Sequence, residues 1–410
     1  MATEDRSMTR RTRNPGSQSA LRQLNQQRII ETLLGSGPST QAEISRYTGL
    51  STATVSNIVK SMAESGLIST SPITSSGRRA LSVRLNGNGA VAVGIDFGRS
   101  HVRVVLASLG YRVVAERAIP LPLGHKASEG IQAASDLLAK LLTEAGIQRS
   151  SVIGAGVGIP GPIDRRSGTV VQGAILPEWV GIHILKRLED ALKFPVYADN
   201  DANLGALAQV TWGPHGAVSN LMFLKIGSGI GAGLILNGAP YYGNIGITGE
   251  IGHATITEHG LICRCGNRGC LETVASTAIM IELLSRGAPA PISVDDIVRR
   301  ALARDAATLR VIDDAGVAVG RAVANVANLI NPEVIVVGGP LAELGDVLLT
   351  PIRRGLLRHA VPVVGESTLL AMSSLGDRAE ALGAAALVFQ QQGLNPSSSR
   401  EPARNAVAVT

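Results

Sequence analysis

The sequence predicts an α/β body of two similarly built halves, preceded by a small α+β module with a winged helix-turn-helix pattern. Three observations carry this prediction. All the net positive charge lies at the front: residues 1–90 hold 11 basic and 5 acidic residues, and residues 91–410 hold 27 of each. That front segment reads as three capped helices and a strand pair, and the rest alternates strands with crossover helices twice over. With 410 residues, 45% hydrophobic and 17% charged, the chain suits two or three domains and is neither disordered nor fibrous. No apolar run reaches the ~18 residues that span a bilayer. The basic start, Met1 to Arg13, lacks the apolar stretch of a leader, so the protein is expected in the cytoplasm and off the membrane. At 3% aromatic residues the chain has too few rings for a single-strand stacking platform.

Residues 1–17, with Arg10, Arg11, Arg13, Pro15 and Gly16, read as a disordered basic arm. Leu21, Leu24, Ile29, Ile30, Leu33 and Leu34 then trace an amphipathic helix that stops at Gly35 to Pro38. Thr40 and Glu43 form a capping-box pattern opening a second helix, which turns at Thr48, Gly49 and Leu50. Ser51 or Thr52 caps a third helix whose Val55, Ile58, Val59 and Met62 face inward until Gly66. Its other face carries Thr52, Thr54, Ser56, Asn57 and Lys60, short polar groups suited to phosphates and base edges. Leu67, Ile68, Leu81, Val83 and Leu85 read as two strands joined by a loop with Gly77, Arg78 and Arg79, a wing whose arginines suit a minor groove. A basic module on a neutral body, with helix, short turn and helix, points to duplex DNA.

After the Asn86 to Gly89 linker, Val91–Ile95, His101–Ala107 and Arg112–Ile119 read as a strand meander, followed by a helix from Ser128 to Ala145 and a strand at Val152–Val157. A second set starts with strands at Leu221–Ile226 and Ala232–Leu236 and has a late buried strand at Val334–Val337. Each half opens with a turn that suits phosphate: Asp96, Phe97, Gly98, Arg99, Ser100 in the first, and the glycines Gly227, Gly229, Gly231 and Gly233 in the second. Such turns in α/β proteins are commonly only tight turns. Gly156, Gly158 and Gly161 match a dinucleotide fingerprint, but Pro160 and Pro162 oppose the helix it requires, so that fold is rejected. The Ala-rich stretch Ala379 to Val388 reads as a docking helix with no catalytic role.

His253, Cys263, Cys265 and Cys270 place an imidazole and the chain's only three thiols within eighteen residues. Four such nitrogen and sulfur donors fit a closed, structural, tetrahedral zinc site. A metal there would also orient Glu250 and Glu272, which flank the cluster. The run Asp199, Asn200, Asp201, Ala202, Asn203 is an acid–amide cluster able to bond vicinal hydroxyls, although such clusters after a strand are commonly helix caps.

Together the run Gly156 to Asp164, the Asp199 to Asn203 cluster, the glycine loop 227–233, Gly249 to His253 and Cys263 to Glu272 resemble the ROK family of bacterial repressors and sugar kinases, over essentially residues 20–390. The resemblance implies a two-lobed actin/hexokinase-like body: a first lobe over 89–207, a second with the zinc loop over 208–376, and a C-terminal helix at 377–390 returning to the first. It makes 18–88 the winged helix-turn-helix and leaves 391–410 as a disordered tail. It also implies sugar contacts from Asn200, Asp201, Glu250, His253 and Glu272, zinc on His253, Cys263, Cys265 and Cys270, and a homodimer or homotetramer. Asp201 would be the catalytic base of a kinase member. Kinase members carry Asp-x-Gly-Gly-Thr at the first phosphate turn, and Arg99 stands here where a glycine would let phosphate reach the backbone, which argues against ATP and Mg2+. Ile175, where sugar-binding members often have Asn, implies an altered ligand preference.

The leading expectation is a sugar-responsive regulator, a repressor of carbohydrate uptake or catabolic genes, that binds double-stranded operator DNA and holds a sugar or sugar phosphate between its lobes. The alternatives are an ATP-dependent sugar kinase carrying a DNA-binding domain, and a carbohydrate-binding scaffold.

Overall fold

The computed structural model describes residues 18–394 apart from 65, 76, 77, 87, 88, 165–167, 172–174, 287–289 and 291. The expected basic arm, Gly77, Gly87, Asn88 and the tail beyond 394 therefore lie outside the described residues. Two units emerge, residues 1–89 and residues 90–391, with the short stretch after 391 grouping with the first. No helix among the described residues is long and apolar enough to cross a membrane.

The small unit contains α1 (Gln18–Ser36), β1 (Ser39–Thr40), α2 (Gln41–Thr48), α3 (Thr52–Glu64), β2 (Ile68–Ser75) and β3 (Arg78–Leu85). The capping box forms as the sequence predicts: Glu43 N donates to Thr40 Oγ1 at 3.2 Å, and Thr40 N donates to the Glu43 carboxylate at 2.7 Å. Gly49 closes α2 at φ 70°, a conformation that costs glycine nothing. Thr40→Ala removes one half of this box and should lower the unit's stability by about 1 kcal/mol, read as a shift in its denaturant midpoint.

Ile29, Ile30, Leu33, Ile44, Val55, Ile58, Val59, Met62 and Val83 form the small core. Leu21 and Leu24, expected inside, are 53% and 47% exposed. Of the apolar residues on this helix, Ile29, Ile30 and Leu33 are buried, and Leu34 is 38% exposed. The wing also differs from expectation. β2 and β3 pair from Ile68↔Leu85 to Ser75↔Arg78, which puts Arg78 and Arg79 in a strand instead of a loop.

In the body, β4 (Val91–Phe97), β5 (His101–Ser108) and β6 (Arg112–Pro120) form the meander, followed by α4 (Ala127–Glu144) and β7 (Val152–Ile159). The next elements are the short pair β8 (Ile163–Asp164) and β9 (Thr169–Val170), then α5 (Ile184–Leu192), β10 (Val196–Asn200) and α6 (Asp201–Thr211). The second half repeats the plan with β11 (Leu221–Ile226), β12 (Ile230–Leu236) and β13 (Ala239–Pro240), then α7 (Glu272–Ala275), α8 (Thr277–Ser285), α9 (Val294–Leu302) and α10 (Ala306–Ile330). It ends with β14 (Val334–Gly338), α11 (Asp346–His359), α12 (Pro362–Ser367), β15 (Leu369–Met372) and α13 (Ala379–Gln391).

The two five-stranded sheets, β10-β7-β4-β5-β6 and β13-β12-β11-β14-β15, have the same connectivity: an antiparallel meander, then two parallel strands added beside its first strand. This repeat is the internal symmetry that the sequence predicts. Each sheet has its own core, around Val93, Ile95, Leu138 and Val157 in the first and Met222, Ile335, Val323 and Ile352 in the second. The helix at the end comes back to the first sheet. Gly94 of β4 and Gly156 of β7 lie under the carbonyls of Ala381 and Ala384 so closely that a Cβ would meet those oxygens at 1.9 and 1.8 Å. Gly156 thus serves helix docking, while Gly158 lies against Leu204 and Asp96, and the residues after Ile159 form a turn and β8 instead of a dinucleotide helix. Order continues past the expected tail boundary, with Leu394 only 3% exposed.

Candidate functional site

A cavity of about 460 Å3 opens where the carboxyl ends of the parallel strands of both halves converge. Asp96, Asn200 and Asp201 reach it from the first half, and Glu250, His253 and Glu272 from the second. The turns Gly98 to Ser100 and Gly227 to Gly229, with Gly231, Gly339 and Pro340, complete its wall. The sequence-predicted sugar and phosphate residues are thus brought together in one place.

The acid–amide cluster is both a cap and part of the site. Asn200 is the N-cap of α6, its Oδ1 accepting from Ala202 N at 2.8 Å while its Nδ2 donates to Gly161 O at 2.9 Å. Asp199 is held inside by the Asn200 amide at 2.8 Å and the Asn203 side chain at 3.0 Å. Asp201, the first residue of α6, turns to the cavity and meets Lys225 Nζ at 2.8 Å. Lys225 also lies 3.1 Å from Glu380 Oε1. Burial opposes the lysine charge, but Asp201, Glu380 and Asp96 outweigh it and hold the ammonium well above the usual lysine range. Burial pushes Glu380 the other way, up from the usual carboxylate range. The helix expected only to dock therefore also sends a carboxylate into the site.

Both phosphate-type turns have internal partners. Gly98 N donates to His101 O at 3.0 Å, and a Cβ on Gly98 would meet the His101 ring at 2.0 Å. That ring places Nε2 3.2 Å from Asp96 Oδ2. Burial works against the Asp96 charge, yet the His101 bond and the Lys225 charge prevail and hold its carboxyl below the usual range. In the second turn, Gly227 N donates to Gly229 O at 2.9 Å, and Ile230 N donates to Glu272 Oε2 at 3.2 Å. Gly231 belongs to β12, opposite Lys225, and not to the turn. Arg99 is exposed at the rim, and Ile175 lies beside Gly229.

The cysteine loop closes the other side. Gly249 fits under β12, with Ala232 N donating to Gly249 O at 2.8 Å, and the short turn Ile251–His253 follows. Cys263, Cys265, Cys270 and His253 present ligand atoms within 4.8 Å of one another, an arrangement that could hold a metal ion. The imidazole faces both ways: Nδ1 is 3.5 Å from Cys263 Sγ, and Nε2 is 3.7 Å from Glu250 Oε2. Burial pushes the Cys270 thiol up to about 12, with the Cys265 and Cys263 thiols adding to it, so a proton stays on this sulfur unless a metal displaces it. Glu272 opens α7, and Arg264 Nη2 donates to its Oε2 at 2.7 Å. Burial raises Glu250 to about 7, helped by the charges of Asp201 and Glu272.

Sequence reasoning missed Lys225, Glu380, His101 and Arg264. The first two carried a signal, a lone charge in the apolar strand Leu-Met-Phe-Leu-Lys-Ile and a lone acid in an Ala-rich helix. In the small unit, Thr52, Ser56, Asn57, Lys60 and Arg79 are exposed, whereas the Thr54 hydroxyl is turned back onto Ser51 Oγ at 2.8 Å.

The profile of the ROK family matches residues 92–391, and that of the MarR family matches residues 23–79. A putative xylose repressor of Caldicellulosiruptor sp. (strain Rt8B.4) is 30% identical over 389 residues, covering 91% of this chain and 97% of that protein. A glucokinase of Halalkalibacterium halodurans is 33% identical over 315 residues, covering 73% and 95%. A crystal structure of a ROK family transcriptional regulator, a homolog of the E. coli MLC protein, aligns with a TM-score of 0.74 at 27% identity, covering 91% of this chain and 96% of that one. The chain belongs to the ROK family, with a MarR-type winged helix ahead of its ROK body.

Proposed function

We propose that this protein is a sugar-responsive transcriptional repressor that acts in the cytoplasm as a homodimer or homotetramer. One observation carries the reading: a single chain joins a winged helix, with a polar exposed face on α3, to a cleft in which Asn200, Asp201, Glu250, His253 and Glu272 converge. Hydroxyl-bonding carboxylates and amides around one cavity suit a sugar, and the xylose repressor relative makes D-xylose the first to try. The cluster of His253, Cys263, Cys265 and Cys270 is assigned to structural zinc. Two thiolates on one tetrahedral zinc at about 2.3 Å stand roughly 3.8 Å apart, and Cys265 Sγ and Cys270 Sγ are 3.8 Å apart. Zinc there would hold the loop that carries Glu250 and Glu272 to the sugar.

The only free energy available for switching is the difference in sugar affinity between the DNA-competent and DNA-released forms. Fluorescence anisotropy on promoter fragments, with and without each sugar of a pentose, hexose and amino-sugar panel, tests the reading. Operator affinity that ignores every sugar would overturn it. On the DNA side, Lys60→Ala should weaken all sequences alike and flatten the salt slope by about 1, whereas Asn57→Ala should cost about 1–3 kcal/mol and relax specificity at one base pair. If the six excess positive charges of one chain all meet phosphates, log affinity should fall against log salt with a slope of about −5.

A further inference from the structure

We infer that Lys225 is the resident cation of this cleft: its ammonium, 2.8 Å from Asp201 and 3.1 Å from Glu380, takes the charge-balancing position of a divalent metal and fixes Asp201 as an acceptor for a ligand hydroxyl. Phosphoryl transfer from a nucleotide needs a metal between carboxylates and open main-chain amides for the phosphates. Here Asp96, Asp201 and Glu380 come from β4, α6 and α13, and the cation they surround is a covalent part of β11. Both cross-strand neighbours of Lys225 are glycines, Gly231 and Gly338, so no side chain beside it obstructs its path to the carboxylates.

Asp201 is held at both oxygens: Oδ1 accepts from Ala202 N at 2.8 Å and Oδ2 from Lys225. A carboxylate held at both oxygens is fixed in place and presents its remaining lone pairs to a ligand hydroxyl. The phosphate turns agree, since His101 fills the face of Gly98 and the Gly98, Gly227 and Ile230 amides already have acceptors. The residues do not fit a metal–nucleotide complex, and the cleft is built to bind a sugar without transferring phosphate to it. This inference rests on the sugar reading for its ligand, but the cation assignment can be tested without any sugar.

The test titrates full-length protein with Mn2+, following the free ion by its EPR signal, with and without ATP. Wild type should leave the free Mn2+ unchanged. Lys225→Met should take up one Mn2+ per chain and lose that uptake again in Lys225→Met/Asp201→Asn. Calorimetry with D-xylose, D-glucose and N-acetylglucosamine gives the second readout. Lys225→Met should weaken sugar binding about tenfold, the ~1.4 kcal/mol of a charge-assisted hydrogen bond, and added Mn2+ should restore it. A merely structural lysine would show no such rescue. Asp201-dependent Mn2+ uptake by wild type would overturn the assignment, as would a folded Lys225→Met chain that neither takes up Mn2+ nor is rescued by it. If Lys225→Met does not fold, Lys225→Gln and the wild-type titration decide the question. Wild type that binds none of the sugars would sink the effector reading alone and leave the Mn2+ result standing.

Discussion

Cys270→Ser should abolish metal binding at the proposed zinc cluster and weaken sugar binding about 100-fold, while operator binding without sugar stays at the wild-type level. The loop between His253 and Cys270 has little apolar cover of its own, with Leu261 and Ile262 at 62% and 69% exposed. Its shape therefore depends on what ties its ends together. Cys270 is fully buried, and its sulfur stands 3.8 Å from Cys265 and 3.5 Å from the His253 carbonyl. When the tie is lost, two of the proposed sugar contacts lose their placement together. His253 no longer has a fixed ring to face Glu250, and Glu272, two residues beyond Cys270, loses the start of α7. Each displaced group loses about 1.4 kcal/mol of hydrogen bonding to the sugar, and two together put the expectation at about 100-fold. Metal content by atomic absorption and sugar affinity by calorimetry check it. A metal-free variant within threefold of wild-type sugar affinity would separate the cluster from the effector site.

Much of this arrangement was legible in the sequence, for definite physical reasons. Period-2 and period-3.6 patterns located the meander of the first half, the helix near residues 128–145 and three strands of the second half, and Leu221–Ile226 begins and ends where the pattern puts it. Local side-chain chemistry located the Thr40–Glu43 capping box and the turn at Gly49. The cysteine cluster was legible because its ligands are close in sequence. Long-range placement was not. Nothing local says that Lys225 on β11 will meet Glu380, 155 positions later, or that His101 will fold back over Gly98. The wing boundary was misread because the strand pairing runs out to Ser75↔Arg78 and takes Arg78 and Arg79 with it, and Gly77 beside them suggested a wider loop. Leu21 and Leu24 were misread because periodicity tells which residues share a helix face, not whether anything covers it.

Gly156→Ala should destabilise the body by about 3 kcal/mol or more, even though alanine is the smallest possible replacement and the residue touches no ligand. Glycine inside a strand is usually a weakness, so its presence there calls for a compensating gain. The gain is the approach of α13. Every residue from Ala379 to Phe389 is buried, and the helix reaches that depth because Gly94 and Gly156 leave its carbonyls room on the sheet while its own Gly383 lies against the Leu204 carbonyl of α6. A methyl at 156 would stand 1.8 Å from the Ala384 oxygen, a backbone atom that moves only if the helix moves. Shifting α13 would loosen the packing of Leu382 and Leu387 and displace Glu380, which joins Lys225 at the floor of the cleft. Against a typical total of about 5–15 kcal/mol, the loss should lower the Tm of a body of this size by about 5 °C. Gly35→Ala, in α1, meets nothing within 4 Å and should cost nothing. Calorimetric scans of the two variants make the comparison. A body transition unmoved by Gly156→Ala would mean that the sheet and helix can separate without penalty, and that this contact does not fix Glu380 in the cleft.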